Sequence, residues 1–132
     1  MTDRLLQGIH HVAIRVKDFD ASLAFYTQGL GLTPTMRWGE GDTRAAMLDA
    51  GNGDSVEIFA GGGDGPLPEG AWLHLAFTSD DPDAAFARAL AAGAAEMHAP
   101  FSHVIPTEPP TPVRLAFVRG LDGEVIEFFK RG

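Results

Sequence analysis

His11-Val-Ala-Ile-Arg-Val-Lys-Asp18-Phe-Asp20-Ala-Ser-Leu-Ala24 lies without a gap over His74-Leu-Ala-Phe-Thr-Ser-Asp-Asp81-Pro-Asp83-Ala-Ala-Phe-Ala87, at an offset of 63 positions. The match places histidine on histidine, aspartate on aspartate twice and alanine on alanine three times. A second gapless match sets residues 46–59 over 116–129 at an offset of 70, with Asn52-Gly53 on Asp122-Gly123 and Glu57 on Glu127. The chain is therefore expected to be an internal duplication. A single domain over 1–132 contains repeats at 8–60 and 71–131, joined by a glycine-rich linker at 61–70. The difference between the two offsets falls in the proline-rich stretch 100–112, because insertions collect in loops.

Each repeat reads as a strand, a helix and then strands joined by a tight turn. Val12, Ile14 and Val16 alternate with His11, Ala13 and Arg15, and Leu73, Leu75 and Phe77 alternate with His74, Ala76 and Thr78. That is the period of a strand with one buried face. Asp18 and Asp81 are placed to cap helices, with Pro82 at a first helical position. Gly29 and Gly93 are expected to close those helices in the left-handed conformation. Asn52-Gly53 and Asp122-Gly123 are hairpin dipeptides, so 47–59 and 115–129 each predict two antiparallel strands. Residues 35–45 and 95–112 should supply the remaining strand of each half. The fold class expected is α+β, two βαβββ modules forming a curved mixed sheet cup with helices on its outer face.

Strand parity then isolates four polar residues. The apolar set that would meet the helix contains neither His11 nor His74, and Glu57 and Glu127 are flanked by Val56 and Ile58 and by Ile126 and Phe128. All four point to the opposite face, which by the same parity carries Met47, Phe59, Leu115, Phe117 and Phe129. Polar groups converging in an apolar concavity are a ligand site in outline. Two imidazoles and two carboxylates suit a divalent first-row ion, nearly cancel its charge and leave an octahedral ion two positions for water or substrate oxygens. Arg15 shares the inward face and could meet a substrate carboxylate or an ion-pair partner. His10 is expected on the other face in a structural role, His98 and His103 at the surface in or beside the long loop, which could carry His103 over the cup to the substrate, and Trp38 and Trp72 in core packing, the alternative being the cup lining or a subunit contact.

Composition excludes other classes. The 132 residues carry no cysteine, so thiolate chemistry and disulfides are absent and any metal must sit on His, Asp or Glu. A net charge of −8 without a basic stripe argues against nucleic acid. No apolar run is long enough to span a membrane, and Met1-Thr2-Asp3-Arg4 does not begin a signal peptide, so a cytoplasmic location is expected. Gly61-Gly62-Gly63 lacks the strand-to-helix context of a phosphate loop.

With these residues in place, the sequence resembles the vicinal oxygen chelate superfamily, which groups glyoxalases, bleomycin-resistance proteins and dioxygenases. The opening His11 to Asp18, then Phe25-Tyr26 with Leu30-Gly31-Leu32, and the closing Phe117-Val118, Asp122-Gly123 and Ile126-Glu127 carry the likeness across nearly the whole chain. By its ligand pattern it is most similar to glyoxalase I, which implies one divalent ion (Ni, Co, Zn, Mn or Fe) on His11, Glu57, His74 and Glu127. Methylmalonyl-CoA epimerases usually have glutamine at the position of Glu57. Extradiol dioxygenases have no ligand there, and bleomycin-binding members lack the set. The resemblance implies a lactoylglutathione-lyase-like enzyme, a lyase or isomerase that moves a proton on a small vicinal-oxygen substrate through an enediolate, with Glu127 or Glu57 as the catalytic base. Arg15, Met47, Phe59, Phe117 and Phe129 would line the substrate site, Arg15 matching an arginine that glyoxalase I uses for the glutathione carboxylate. An asparagine expected four residues after Glu57 is Gly61 here. Homodimers are common in this family. The alternatives are an Fe(II)-dependent extradiol-type dioxygenase and a drug- or metabolite-binding resistance protein.

Overall fold

The computed structural model describes Leu5 and residues 7–68 and 70–132; the first four residues, on which the leader reading rests, lie outside that set. Two four-stranded mixed sheets and two α-helices make up the fold. In the first half, β1 (His11–Arg15), α1 (Phe19–Ala24), β2 (Thr33–Trp38), β3 (Ala45–Gly51) and β4 (Asp54–Phe59) form a sheet ordered β1-β4-β3-β2. In the second, β5 (Leu75–Thr78), α2 (Pro82–Ala91), β6 (Ala95–Ile105), β7 (Thr111–Arg119) and β8 (Val125–Arg131) repeat the order as β5-β8-β7-β6. In each half the first strand runs parallel to the last, and the others are antiparallel. Strands joined by hairpins must be antiparallel, whereas the helical crossover lets the first strand add in parallel.

Local chemistry explains the element ends. Asp18 and Asp81 accept from the amides of Ala21 and Ala84, the expected N-caps. Helix α1 does not stop at Gly29 in a left-handed cap. It runs on as a π-helical segment, Phe25–Gly29, and the positive φ falls at Gly31, +85°. Gly29 is needed for another reason, since a Cβ there would sit 2.6 Å from the Cβ of Ala92 at the end of α2. Gly93 is left-handed as expected, with φ +111°.

The helix-covered faces of both sheets share one core. Val16, Tyr26, Leu48, Ile58, Val118 and Ile126 are almost fully buried, and residues from both halves belong to a single cluster. The sheet faces without helices are turned away from that core. Burial along β1 rises only toward its end. Val16 is sealed while Val12 is exposed, and at the start of the second half Leu73 is exposed too. Neither tryptophan is core: Trp72 is 94% exposed and Trp38 43%.

One polar contact ties the halves together and has no repeat-equivalent. Asp122, expected only as a turn residue, is buried and accepts from the amide of Lys17 at 2.8 Å and the hydroxyl of Ser22 at 3.4 Å. Two residues on, Glu124 accepts from the Tyr26 hydroxyl at 2.6 Å and from the Asp122 amide at 2.9 Å. The positions matching Ser22 and Tyr26 are Ala85 and Ala89, which have no hydroxyl. Burial lifts the Glu124 carboxyl above its ordinary pKa, with the Tyr26 hydrogen bond opposing, and burial also holds the Tyr26 phenol well above its own. Because the net shift of Glu124 is upward, its contribution to stability grows as pH falls through the raised folded pKa toward the ordinary 4.5. Tyr26→Phe removes a donor to the ionised form. It is expected to cost about 1–3 kcal/mol above that folded pKa and less below it. Urea unfolding across a pH series measures this, and a cost that does not change with pH would refute it.

Candidate functional site

The registers place all four ligand candidates as the duplication requires. Ala13 pairs with Glu57 and Glu57 with Met47 in the first sheet, while Ala76 pairs with Glu127 and Glu127 with Phe117 in the second. Partners in register share a sheet face, and His11 and His74 lie two residues before Ala13 and Ala76 on those faces. The result is two matching pairs. Nε2 of His11 stands 3.3 Å from Oε1 of Glu57, and Nε2 of His74 stands 3.1 Å from Oε1 of Glu127. In both, a partly open imidazole side chain, 38% exposed, meets a buried carboxylate. Burial raises the Glu127 carboxyl above its usual pKa, and the His74 imidazole opposes that rise.

The first pair has a support that parity did not predict. His10 precedes the strand, and its Nδ1 lies 2.9 Å from Nδ1 of His11, with the two rings edge to face. One of these nitrogens must donate and the other accept. The bond orients the His11 ring from behind, with Nε2 toward Glu57.

The expected lining residues also lie on the faces without helices. Arg15 donates to the carbonyl of Ala60 at 2.8 Å and its guanidinium lies over the Phe59 ring, 5.5 Å from the centroid. Trp38 meets the same ring edge to face, and Met47 and Met36 pair beside it. Phe117 is set edge to face against His74 at 5.6 Å, and Leu115 pairs with Phe129. Gly61 has φ +87°, and a Cβ there would lie 3.1 Å from the carbonyl of Asp42. A side chain at that position is strained.

His98 and His103 are exposed, as expected, but they belong to a strand rather than to the long loop or its border. Both lie within β6, paired with Phe117 and Val113, and therefore on the same face as Glu127. Register shifts between Glu96 and His98 and between His98 and Phe101 bring His98, Phe101 and His103 onto one face despite their uneven spacing.

Each pair supplies one imidazole nitrogen and one carboxylate oxygen, a donor chemistry that fits a divalent first-row ion. Two protein donors are half of what such a site uses. Among the described residues, no three His, Asp or Glu side chains stand close enough to hold one ion together. The four candidates therefore stand as two separate pairs, and the described residues bring no third donor to either. Two clefts open on the helix side, one between Leu30, Phe77 and Arg88 and the other between Phe25, Arg88 and Leu121. No helix among the described residues is long and apolar enough to cross a membrane.

Paired βαβββ sheets with this hydrogen-bond order define a glyoxalase-like fold, and the chain belongs to the glyoxalase/bleomycin resistance protein/dioxygenase superfamily, whose family model matches residues 8–128. It is 35% identical over 131 residues to the uncharacterized protein YwbC of Bacillus subtilis, covering 96% of this chain and all of that one. It is 31% identical to the uncharacterized protein YaeR of Escherichia coli, covering 96% and 98% of the two chains. Among solved structures, a glyoxylase/bleomycin resistance protein/dioxygenase domain from Frankia sp. EAN1pec superposes with a TM-score of 0.76 at 26% identity, over 96% of this chain and 93% of that one. TnmS3, an antibiotic binding protein from Streptomyces sp. CB03234, superposes at 0.73 with 21% identity, over 98% of this chain and all of the other, which shows the fold alone.

Proposed function

We propose that the chain is a metal-dependent lyase or isomerase of glyoxalase type, working as a homodimer in which His11 and Glu57 of one protomer complete a site with His74 and Glu127 of its partner. The observation that carries this reading is the pair of equivalent His–Glu contacts on the faces without helices. Each pair has half the donors it needs, and the exposed apolar side chains of Val12, Trp72 and Leu73 lie near His11 and His74 in sequence. A twofold dimer brings each first half against the partner's second half and builds two identical sites.

The bound divalent ion would supply Lewis acidity, polarising the substrate's adjacent oxygens and making the neighbouring C–H bond acidic. The Glu127 carboxylate takes that proton and returns it to the next carbon, so that one C–H bond breaks, another forms and no external oxidant is needed. Phe59 and Phe117 exclude water from the flanks, and Arg15, resting on Phe59, offers a cation to an anionic substituent. Purified protein is expected to carry about one Ni, Co, Zn, Mn or Fe ion per chain and to isomerise the hemithioacetal of methylglyoxal once loaded. His74→Ala should lose both properties. Undiminished metal content in His74→Ala, by elemental analysis, would overturn the reading.

A further inference from the structure

Resting on that metal-site reading, we infer that His10 is a positioning residue for the first His–Glu pair: its Nδ1 accepts the Nδ1–H of His11 and thereby commits the Nε2 lone pair of His11 to the cation. A neutral imidazole carries one hydrogen, and the nitrogen that holds a cation cannot be the one that bears it. His11 turns Nε2 toward Oε1 of Glu57 at 3.3 Å and Nδ1 toward Nδ1 of His10 at 2.9 Å. The hydrogen of a ligating His11 therefore lies on Nδ1 and points at His10, whose own hydrogen is then on Nε2. Only one hydrogen fits between the two Nδ1 atoms, so the bond couples the tautomers of the two rings.

The coupling matters because His11 is open to solvent. Its side chain is 38% exposed, and an unsupported imidazole turns about its side-chain torsions to present either nitrogen. The His10 ring stands edge to face against it, with centroids 5.1 Å apart and planes at 87°. Ring direction and hydrogen position are set together. The main chain of His10 is itself held, since its carbonyl accepts at 3.1 Å from the amide of Ser55 on β4, the strand that carries Glu57. A ligand already in its binding geometry loses less freedom when the ion arrives. The duplication provides a comparison within the chain. The residue before His74 is Leu73, whose side chain has no acceptor, and His74 is set edge to face against Phe117. Among the described residues, the Nδ1 support is thus confined to the first pair.

The test is titration of the full-length protein with Ni(II) in competition with a chelator, for wild type, His10→Ala, His10→Asn and His10→Gln. Asparagine places Oδ1 at the same branch of the side chain as Nδ1 and keeps the acceptor, whereas the glutamine carbonyl lies one bond further out. His10→Ala is expected to weaken nickel binding about tenfold or more, the range for loss of a group that orients a ligating histidine. His10→Asn should recover most of that loss, and His10→Gln should resemble His10→Ala. In the Zn(II)-loaded protein, the Nδ1 hydrogen of His11 should exchange slowly with water in wild type and His10→Asn and fast in His10→Ala, as read by NMR. His10 is exposed, so thermal unfolding of the metal-free variants should match wild type. Equal nickel affinity in wild type and His10→Ala, or an asparagine variant as weak as the alanine one, overturns the inference and leaves the metal reading standing. A wild type that binds no nickel overturns both.

Discussion

An equal mixture of His11→Ala and His74→Ala subunits, exchanged to equilibrium, should regain about a quarter of wild-type metal content and activity, although each variant alone has almost none. Random pairing makes half of the dimers mixed, and each mixed dimer holds one intact site of two when the site is shared across a twofold axis. The other site collects both substitutions. A site contained within one chain gives the opposite result, because every chain is then defective and mixing restores nothing. The structure supplies the reason to expect recovery, since the two His–Glu pairs do not gather within one chain. Both histidine side chains are partly open, so the substitutions leave the fold intact. Elemental analysis of the exchanged mixture, with the unmixed variants as controls, is the measurement. Recovery indistinguishable from zero, with mixed dimers shown to form, would exclude the shared site.

Glu127→Gln should lower turnover of methylglyoxal hemithioacetal by about 10³-fold, in the range for removal of a positioned base, while most of the metal is retained. An amide oxygen still ligates but cannot accept a proton to form a neutral acid. Glu57→Gln is expected to be much milder. The distinction follows from the assignment of Glu127 as the base, with Glu57 acting as a ligand only. Equal losses in the two variants would remove the assignment of Glu127 as the base. Loss of metal from Glu127→Gln would show that its charge is needed for binding.

Much of this architecture was legible in the residues because a duplication doubles the information. Glu57 alone is an ordinary strand carboxylate, but its superposition on Glu127 predicted a shared register, and the pairings with Met47 and Phe117 show it. Parity placed Arg15, Met47, Phe59, Phe117 and Phe129 on the faces without helices, and it held because β1, β3, β4, β5, β7 and β8 are regular where those residues lie. No such regularity marks β6, where two shifts put His98, Phe101 and His103 on one face despite their mixed spacing. Asp122 was hidden for another reason. A hairpin dipeptide carries a strong local signal that masks a buried contact with Lys17 and Ser22 about a hundred residues away. Trp38 and Trp72 show the limit of composition, since an apolar ring marks surface awaiting cover as readily as core. The separation of the two His–Glu pairs was not legible, because it depends on which faces the helices draw into the common core.

The irregular course of β6 also bears on edge-to-edge association between chains. At eleven residues it is the longest strand and lies at a sheet edge, where unpaired amides and carbonyls could template fibrillar stacking. Its two interruptions keep that edge from presenting a straight ladder to another chain. A variant shortened to remove both, by deleting Met97 and Ala99, would present a uniform ribbon and leave a chain more prone to form insoluble assemblies.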